Sequence, residues 1–136
     1  MKIFIVSSKH LYHNVVEIKQ ELERKGNVIT LPNSYDDPLM EEKAKANGKE
    51  HHEQFKAEMF RLQNRKIEDN DAILVLNFKK GEQENYIGGS VFLEMFKAWE
   101  LGKKIYLYNP IPNNMLKDEI EGFGPIIIDR DLDKVK

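Results

Sequence analysis

The chain has 136 residues, 40% hydrophobic and 32% charged, the balance of one globular domain spanning 1–136 and not of a disordered chain. Its 21 Lys and Arg against 23 Asp and Glu, a net charge of −2, leave no basic excess to neutralise a phosphate backbone, so duplex nucleic acid is not an expected partner. Cysteine is absent, which removes disulfides, thiolate metal sites and thiol nucleophiles. No apolar run approaches the ~18–20 residues of a membrane span, and MKIFIVSS lacks the order of a signal peptide; a cytoplasmic protein with no membrane partner is expected.

The apolar run KIFIVS at 2–7 reads as a buried strand. Leu11, Val15, Ile18 and Leu22 then recur at helical spacing, with Gly26 as the stop, so an amphipathic helix follows. Residues 28–31 read as a second short strand, ended by the loop from Pro32 to Pro38. From 41 to 66 the chain is laced with charge, and Phe55, Met59, Leu62 and then Lys66 or Ile67 share one face, the mark of one long helix or two shorter ones. AILVLNF at 72–78 is continuously apolar, as in a central strand covered on both sides. A loop at 79–87 leads to Gly88 and Gly89 and a helix ending near Leu101. Residues 105–108 read as a fourth strand, 114–121 as a helical turn and 125–128 as a fifth strand. This alternation predicts an α/β fold, a flavodoxin-like or Rossmann-like three-layer sandwich with a five-stranded parallel sheet.

In such a sheet, ligands bind at the carboxyl ends of the strands, where loops gather and helix N-termini present free N–H groups. The candidates there are Ser7, Ser8 and His10 after the first strand, and Asn33, Ser34, Tyr35, Asp36 and Asp37 after the second. Asn77, Asn85, Tyr86, Gly88, Gly89 and Ser90 follow the third strand and Asn109 the fourth. Asp71 precedes its strand and is more simply a turn residue. Gly88-Gly89-Ser90 suits a close approach of backbone to an anion, but it is neither a P-loop nor a GxGxxG fingerprint, and a tight turn explains it as well. His10 and His13, and His51 and His52, lack the spacing and partners of a metal centre, so no metal is expected. Most Phe and Tyr residues read as core, except Tyr35 and Tyr86 in loops, where a ring can meet a ligand.

Glu94 is the most informative position. On the helix after Gly89, the apolar arc runs through Met95, Trp99, Phe92 and Phe96 on one side and Ala98 and Leu101 on the other, and Glu94 falls inside it, while Lys97 and Glu100 project from the solvated face. A carboxylate in an apolar stripe costs free energy unless it is paired or used. It is either a boundary residue reaching water or a backbone donor, or a working group at the ligand end of the sheet.

The segment Asp71 to Pro112 carries the pattern N-Y-I-G … E-M … A … G-K-K-I … N-P-I-P. It resembles the nucleoside 2-deoxyribosyltransferase superfamily, most closely its small prokaryotic members, and MKIFIVSS and GNVITLP fit as well. The resemblance implies that Glu94, followed by Ala98, Gly102 and Lys103, is a nucleophile at the sugar C1′. It implies an enzyme cleaving or transferring the N-glycosidic bond of a (deoxy)nucleoside or nucleoside 5′-monophosphate, without a cofactor. The small-molecule partner would be held by Ser7, Ser8, Asn77, Tyr86, Gly88, Gly89, Ser90 and Asn109. It further implies a homodimer or larger homo-oligomer that completes the site. Two departures stand out: characterised transferases of the family carry an Asp six residues before the nucleophile and its nucleotide hydrolases a Ser, whereas this chain has Gly88. Asp36 and Asp37 are therefore the candidates for general acid. The alternative function is a non-catalytic nucleotide-binding or sensor module of the same fold.

Overall fold

The computed structural model describes residues 1–136, the side chain of His10 excepted. Strands β1 (Lys2–Val6), β2 (Val28–Thr30), β3 (Ala72–Val75), β4 (Lys104–Leu107) and β5 (Ile126–Ile127) form one sheet in the order β2-β1-β3-β4-β5. Every pairing is parallel, with Ile3 opposite Ile29 and Ala72, and Ile73 opposite Ile105. This is the flavodoxin-like order, in which the chain reverses its direction of winding between β1 and β3.

Successive side chains of a strand point to opposite faces, and here both faces are covered. Ile3, Ile5, Leu74 and Tyr106 pack under Val15, Ile18 and Leu22 of α1 (Val15–Arg24). Phe4, Val6, Ile73 and Val75 pack against Ile67 of α3 (Lys49–Glu68), Val91 and Met95 of α4 (Gly89–Glu100) and Ile120 of α5 (Lys117–Phe123). Burial on both sides is why the inner strands read as unbroken apolar runs. The edge differs: β5 has two residues, both exposed.

The segment expected as one helix or two is two. α2 (Met40–Ala46) is separated from α3 at Gly48, whose φ of 112° is closed to most side chains. α2 buries no residue. The helix expected from Leu11 begins instead as a 3₁₀ helix, Lys9–Asn14, before α1. Its tighter winding still buries Leu11 and aims the Tyr12 hydroxyl at the carbonyl of Asn33, to which it donates a hydrogen bond. Most Phe and Tyr residues belong to the core, as expected: Phe4 and Tyr106 are fully buried, and Phe78, Phe92, Phe123, Tyr35 and Tyr108 pack against it. Tyr12, Phe55 and Tyr86 line a cleft, and Phe96 and Trp99 are 45% and 51% exposed on the outer side of α4. The apolar arc of that helix is wider than the strip the sheet and α3 cover. No helix among the described residues is long and apolar enough to cross a membrane.

Candidate active site

A cleft of about 230 Å³ opens at the carboxyl edge of the sheet, where β1 and β3 diverge. The loop after β1 brings Ser7, Ser8, Lys9 and Tyr12 to it, and the loop after β2 brings Asn33 and Ser34. α3 presents Phe55, Lys56, Met59 and Gln63 along one face, and the loop before α4 supplies Lys80, Tyr86 and Gly88. Gly89, Ser90, Val91 and Glu94 close the fourth wall from α4.

Glu94 is 7% exposed. Among the described residues no group hydrogen-bonds to it and no cation lies within ion-pair distance. Glu94 lines the cleft rather than the outer side of α4. The little surface that Glu94 keeps therefore belongs to the cleft. Burial pushes its carboxyl up to about 8, against the pull of the Lys66 and Lys56 charges. Its charge acts in turn on its neighbours. Burial first, and then Glu94, raise the Tyr12 phenol; burial lowers the Lys66 ammonium while Glu94 and Asp36 oppose it.

Gln63 sits one turn beyond Met59 on α3, buried and likewise without a described partner. Sequence reasoning passed over it because the expected apolar face of α3 ran through Leu62, one position away; the buried seam runs through Gln63 and Ile67. Tyr12, Lys56 and Lys80 were passed over too, since nothing local marks a surface-type residue that tertiary packing turns inward.

The rim is charged. Glu41 of α2 accepts a hydrogen bond from His52 at 2.8 Å, lies 3.3 Å from Lys9 and 3.8 Å from Lys56, and is held well below the usual carboxylate range chiefly by His52. Lys56 Nζ also reaches Ser90 Oγ at 3.4 Å. The first turn of α4 contains no acidic residue and Gly88 caps it without a side chain, so its N–H groups face the cleft uncompensated. In the loop before α4, Lys80 Nζ stands 4.5 Å above the centroid of the Tyr86 ring and 3.5 Å from its hydroxyl. The ring lies against Gly88, where an added Cβ would come within 3.0 Å of the Tyr86 hydroxyl. Glycine at 88 is what lets Tyr86 in.

Of the site residues expected from sequence, Ser7, Ser8, Tyr86, Gly88, Gly89, Ser90 and Glu94 are brought together in this cleft. Asn77 and Asn109 are not. The Asn77 amide donates to the carbonyls of Asn109 and Pro110, both at 3.0 Å, and its Oδ1 accepts from the Asn109 N–H at 2.8 Å. Asn109 Nδ2 donates back to the Asn77 carbonyl at 3.2 Å, and Arg130 Nε donates to Asn109 Oδ1 at 2.9 Å. These side chains splice the ends of β3 and β4, and neither lines the cleft. Asp36 and Asp37 line a separate hollow beside Lys66 and Tyr35, and Asp37 pairs with Lys43 at 2.8 Å, so neither faces Glu94 across the cleft. His10 lies outside the described side chains. Among the described residues no cluster of three His, Asp or Glu groups stands close enough to share a metal ion.

No family model matches the sequence, and no curated protein matches it. Among solved structures the chain is similar to the Clostridium botulinum CMP N-glycosidase BcmB, with a TM-score of 0.53 over 93% of this chain and 85% of that one. The two are 14% identical, so the likeness is one of fold.

Proposed function

We propose that the chain acts on the N-glycosidic bond of a nucleoside or nucleotide, with Glu94 as nucleophile. The observation that carries this reading is a buried carboxylate, unpaired among the described residues, opening into a cleft at the switch point of the sheet. A fold has no use for such a group, whereas breaking a bond at C1′ does. The reaction passes through an oxocarbenium-like state, and a carboxylate in low-polarity surroundings attracts that developing cation more strongly than it would in water. Attack on C1′ gives a glycosyl ester, released by water in a hydrolase or by a second base in a transferase.

The nucleophile must be ionised. With its carboxyl near 8, base release, measured as kcat/KM, rises with pH through that value. Lys56, Ser90 and the uncapped N-terminus of α4 favour a substrate with an anionic end, a nucleoside 5′-monophosphate over a nucleoside. That the similar solved structure is a CMP N-glycosidase supports the same class. The test is a panel of nucleosides and 5′-monophosphates, ribo and deoxy, scored for free base. The expected result is release from at least one member that Glu94→Gln abolishes.

One observation favours a second reading. A carboxyl near 8 is protonated at neutral pH and can donate a hydrogen bond to a sugar hydroxyl, as a nucleotide-binding or sensor module would require. Tight nucleotide binding with no base released from any member of the panel establishes it.

The assembly we propose is a homo-oligomer. At about 230 Å³ the cleft is smaller than the ~300–1,000 Å³ of sites that enclose a whole ligand. Leu93, Phe96 and Trp99 leave exposed apolar surface on the outer side of α4, the helix that carries Glu94. Trp99→Glu is expected to convert the oligomer to monomer in sedimentation velocity.

A further inference from the structure

We infer that Tyr86, with Lys80 on its ring, is the group that protonates the departing base; the inference rests on the reaction proposed above. Leaving as a neutral base requires a proton, and the cleft holds few sources. Glu41 is ionised, held by His52, Lys9 and Lys56, and has none to give. Glu94 is engaged at C1′. Asp36 and Asp37 lie in the neighbouring hollow. Ser7, Ser8 and Ser90 are alcohols, far weaker acids than a phenol, and the one other phenol of the cleft, Tyr12, has its proton committed to the Asn33 carbonyl.

Tyr86 differs from all of these in its setting. Its hydroxyl lies over Gly88, in the space a side chain at that position would occupy, and its ring forms part of the same wall from which α4 carries Glu94. Glu94 and Tyr86 both line the cleft, the carboxylate leaning back along α4 over the helix's first turn. Lys80 has no carboxylate within ion-pair distance among the described residues, and its ammonium stands 3.5 Å from the Tyr86 oxygen. That cation has no structural pairing to explain it, and it is placed where a phenolate would form.

The step balances. A Glu94 oxygen bonds to C1′, the C1′–N pair moves onto the base, and the Tyr86 proton goes to the base as it leaves, with the phenolate beside Lys80. When water or a second base then attacks C1′ and frees Glu94, the attacking group's proton returns to the Tyr86 oxygen. No oxidant or further reactant is needed.

The experiment varies the leaving group. Turnover of the best nucleotide is compared with that of a 4-nitrophenyl glycoside of the same sugar, whose nitrophenolate departs without a proton. Tyr86→Phe keeps the ring and is expected to slow base release by ~10²–10³-fold, within the range of general acid catalysis. On the nitrophenyl glycoside it costs less than about 5-fold, the residue of lost packing. Lys80→Met is expected to slow the nucleotide by about 10-fold and the nitrophenyl glycoside hardly at all. An equal loss on both leaving groups, or none on either, overturns the role of Tyr86, as does a larger loss from Lys80→Met than from Tyr86→Phe. In each of those cases the Glu94 reading survives if Glu94→Gln still abolishes turnover. A wild-type protein that releases neither leaving group overturns both.

Discussion

Asn77 and Asn109 are buried at the carboxyl edge of the sheet as deeply as Glu94 and Gln63 are, yet the two sets are treated in opposite ways. The asparagine amides donate and accept within the protein, to each other's backbone and to Pro110 and Arg130, so their burial is repaid locally. Glu94 and Gln63 have no described partner and open onto a cleft. The difference separates polar groups that hold the fold from polar groups the fold must support. A buried polar residue is a site candidate when its hydrogen-bonding capacity is left over, not merely because it lies at the ligand end of a strand.

Five substitutions break or sharpen that contrast. Glu94→Gln should lower base release by more than ~10³-fold while making the protein harder to unfold at alkaline pH. The carboxyl is raised from 4.5 to about 8 on folding, so the unfolded chain ionises first. Wild-type stability therefore declines as pH climbs from about 4.5 through about 8, and the amide removes that decline. Denaturant unfolding of both proteins at pH 5 and pH 9 checks it: the gap should open at the higher pH and nearly close at the lower.

Asn77→Ala is the opposite experiment, stripping partners from the buried Asn109 N–H; unfolding should cost about 2–4 kcal/mol less in urea titration. Gln63→Leu fills the same space without the amide. It should leave unfolding within about 1 kcal/mol of wild type and, if the proposed reaction uses this cleft, cut kcat/KM by about 10-fold, because the amide lost lines it. Smallest of all, Asp36→Ala and Asp37→Ala should keep base release within about 2-fold, since surface pairs such as Asp37–Lys43 contribute little. A large loss from either would return the general acid to the β2 loop.

Much of this architecture can be read from the amino acids, for identifiable reasons. The apolar runs of β1, β3 and β4 read as strands because two-sided burial leaves no room for alternation, while β2 and β5 at the edges are legible only as short apolar stretches between turns. Asp71 reads as a turn residue, and it accepts the backbone N–H of Lys2 at 2.8 Å at the amino end of the sheet. Glu94 is visible because a single charge inside an apolar arc is anomalous on helical geometry alone, and the structure buries it. Asn77 and Asn109 mislead because sequence gives their place at strand ends but not the partners that satisfy them across the β3 and β4 termini. Gln63 and Lys80 are invisible for the converse reason: their surroundings come from segments far away in the chain. Phe96 and Trp99 carry the periodicity of a core, and only the width of the neighbouring layers leaves them outside.

α2, which buries nothing, has a consequence for the cleft it borders. Lys9 to Glu41 and Glu42, His52 to Glu41, and Lys43 to Asp37 fasten it to its surroundings. Such pairs weaken as the Debye length shrinks from ~10 Å at 0.1 M salt to ~3 Å at 1 M, while apolar burial does not. Added salt thus loosens one bank of the cleft and leaves the sheet intact. Amide exchange in α2 accelerates with ionic strength while β3 stays protected, and ligand held against that bank is released before any unfolding registers.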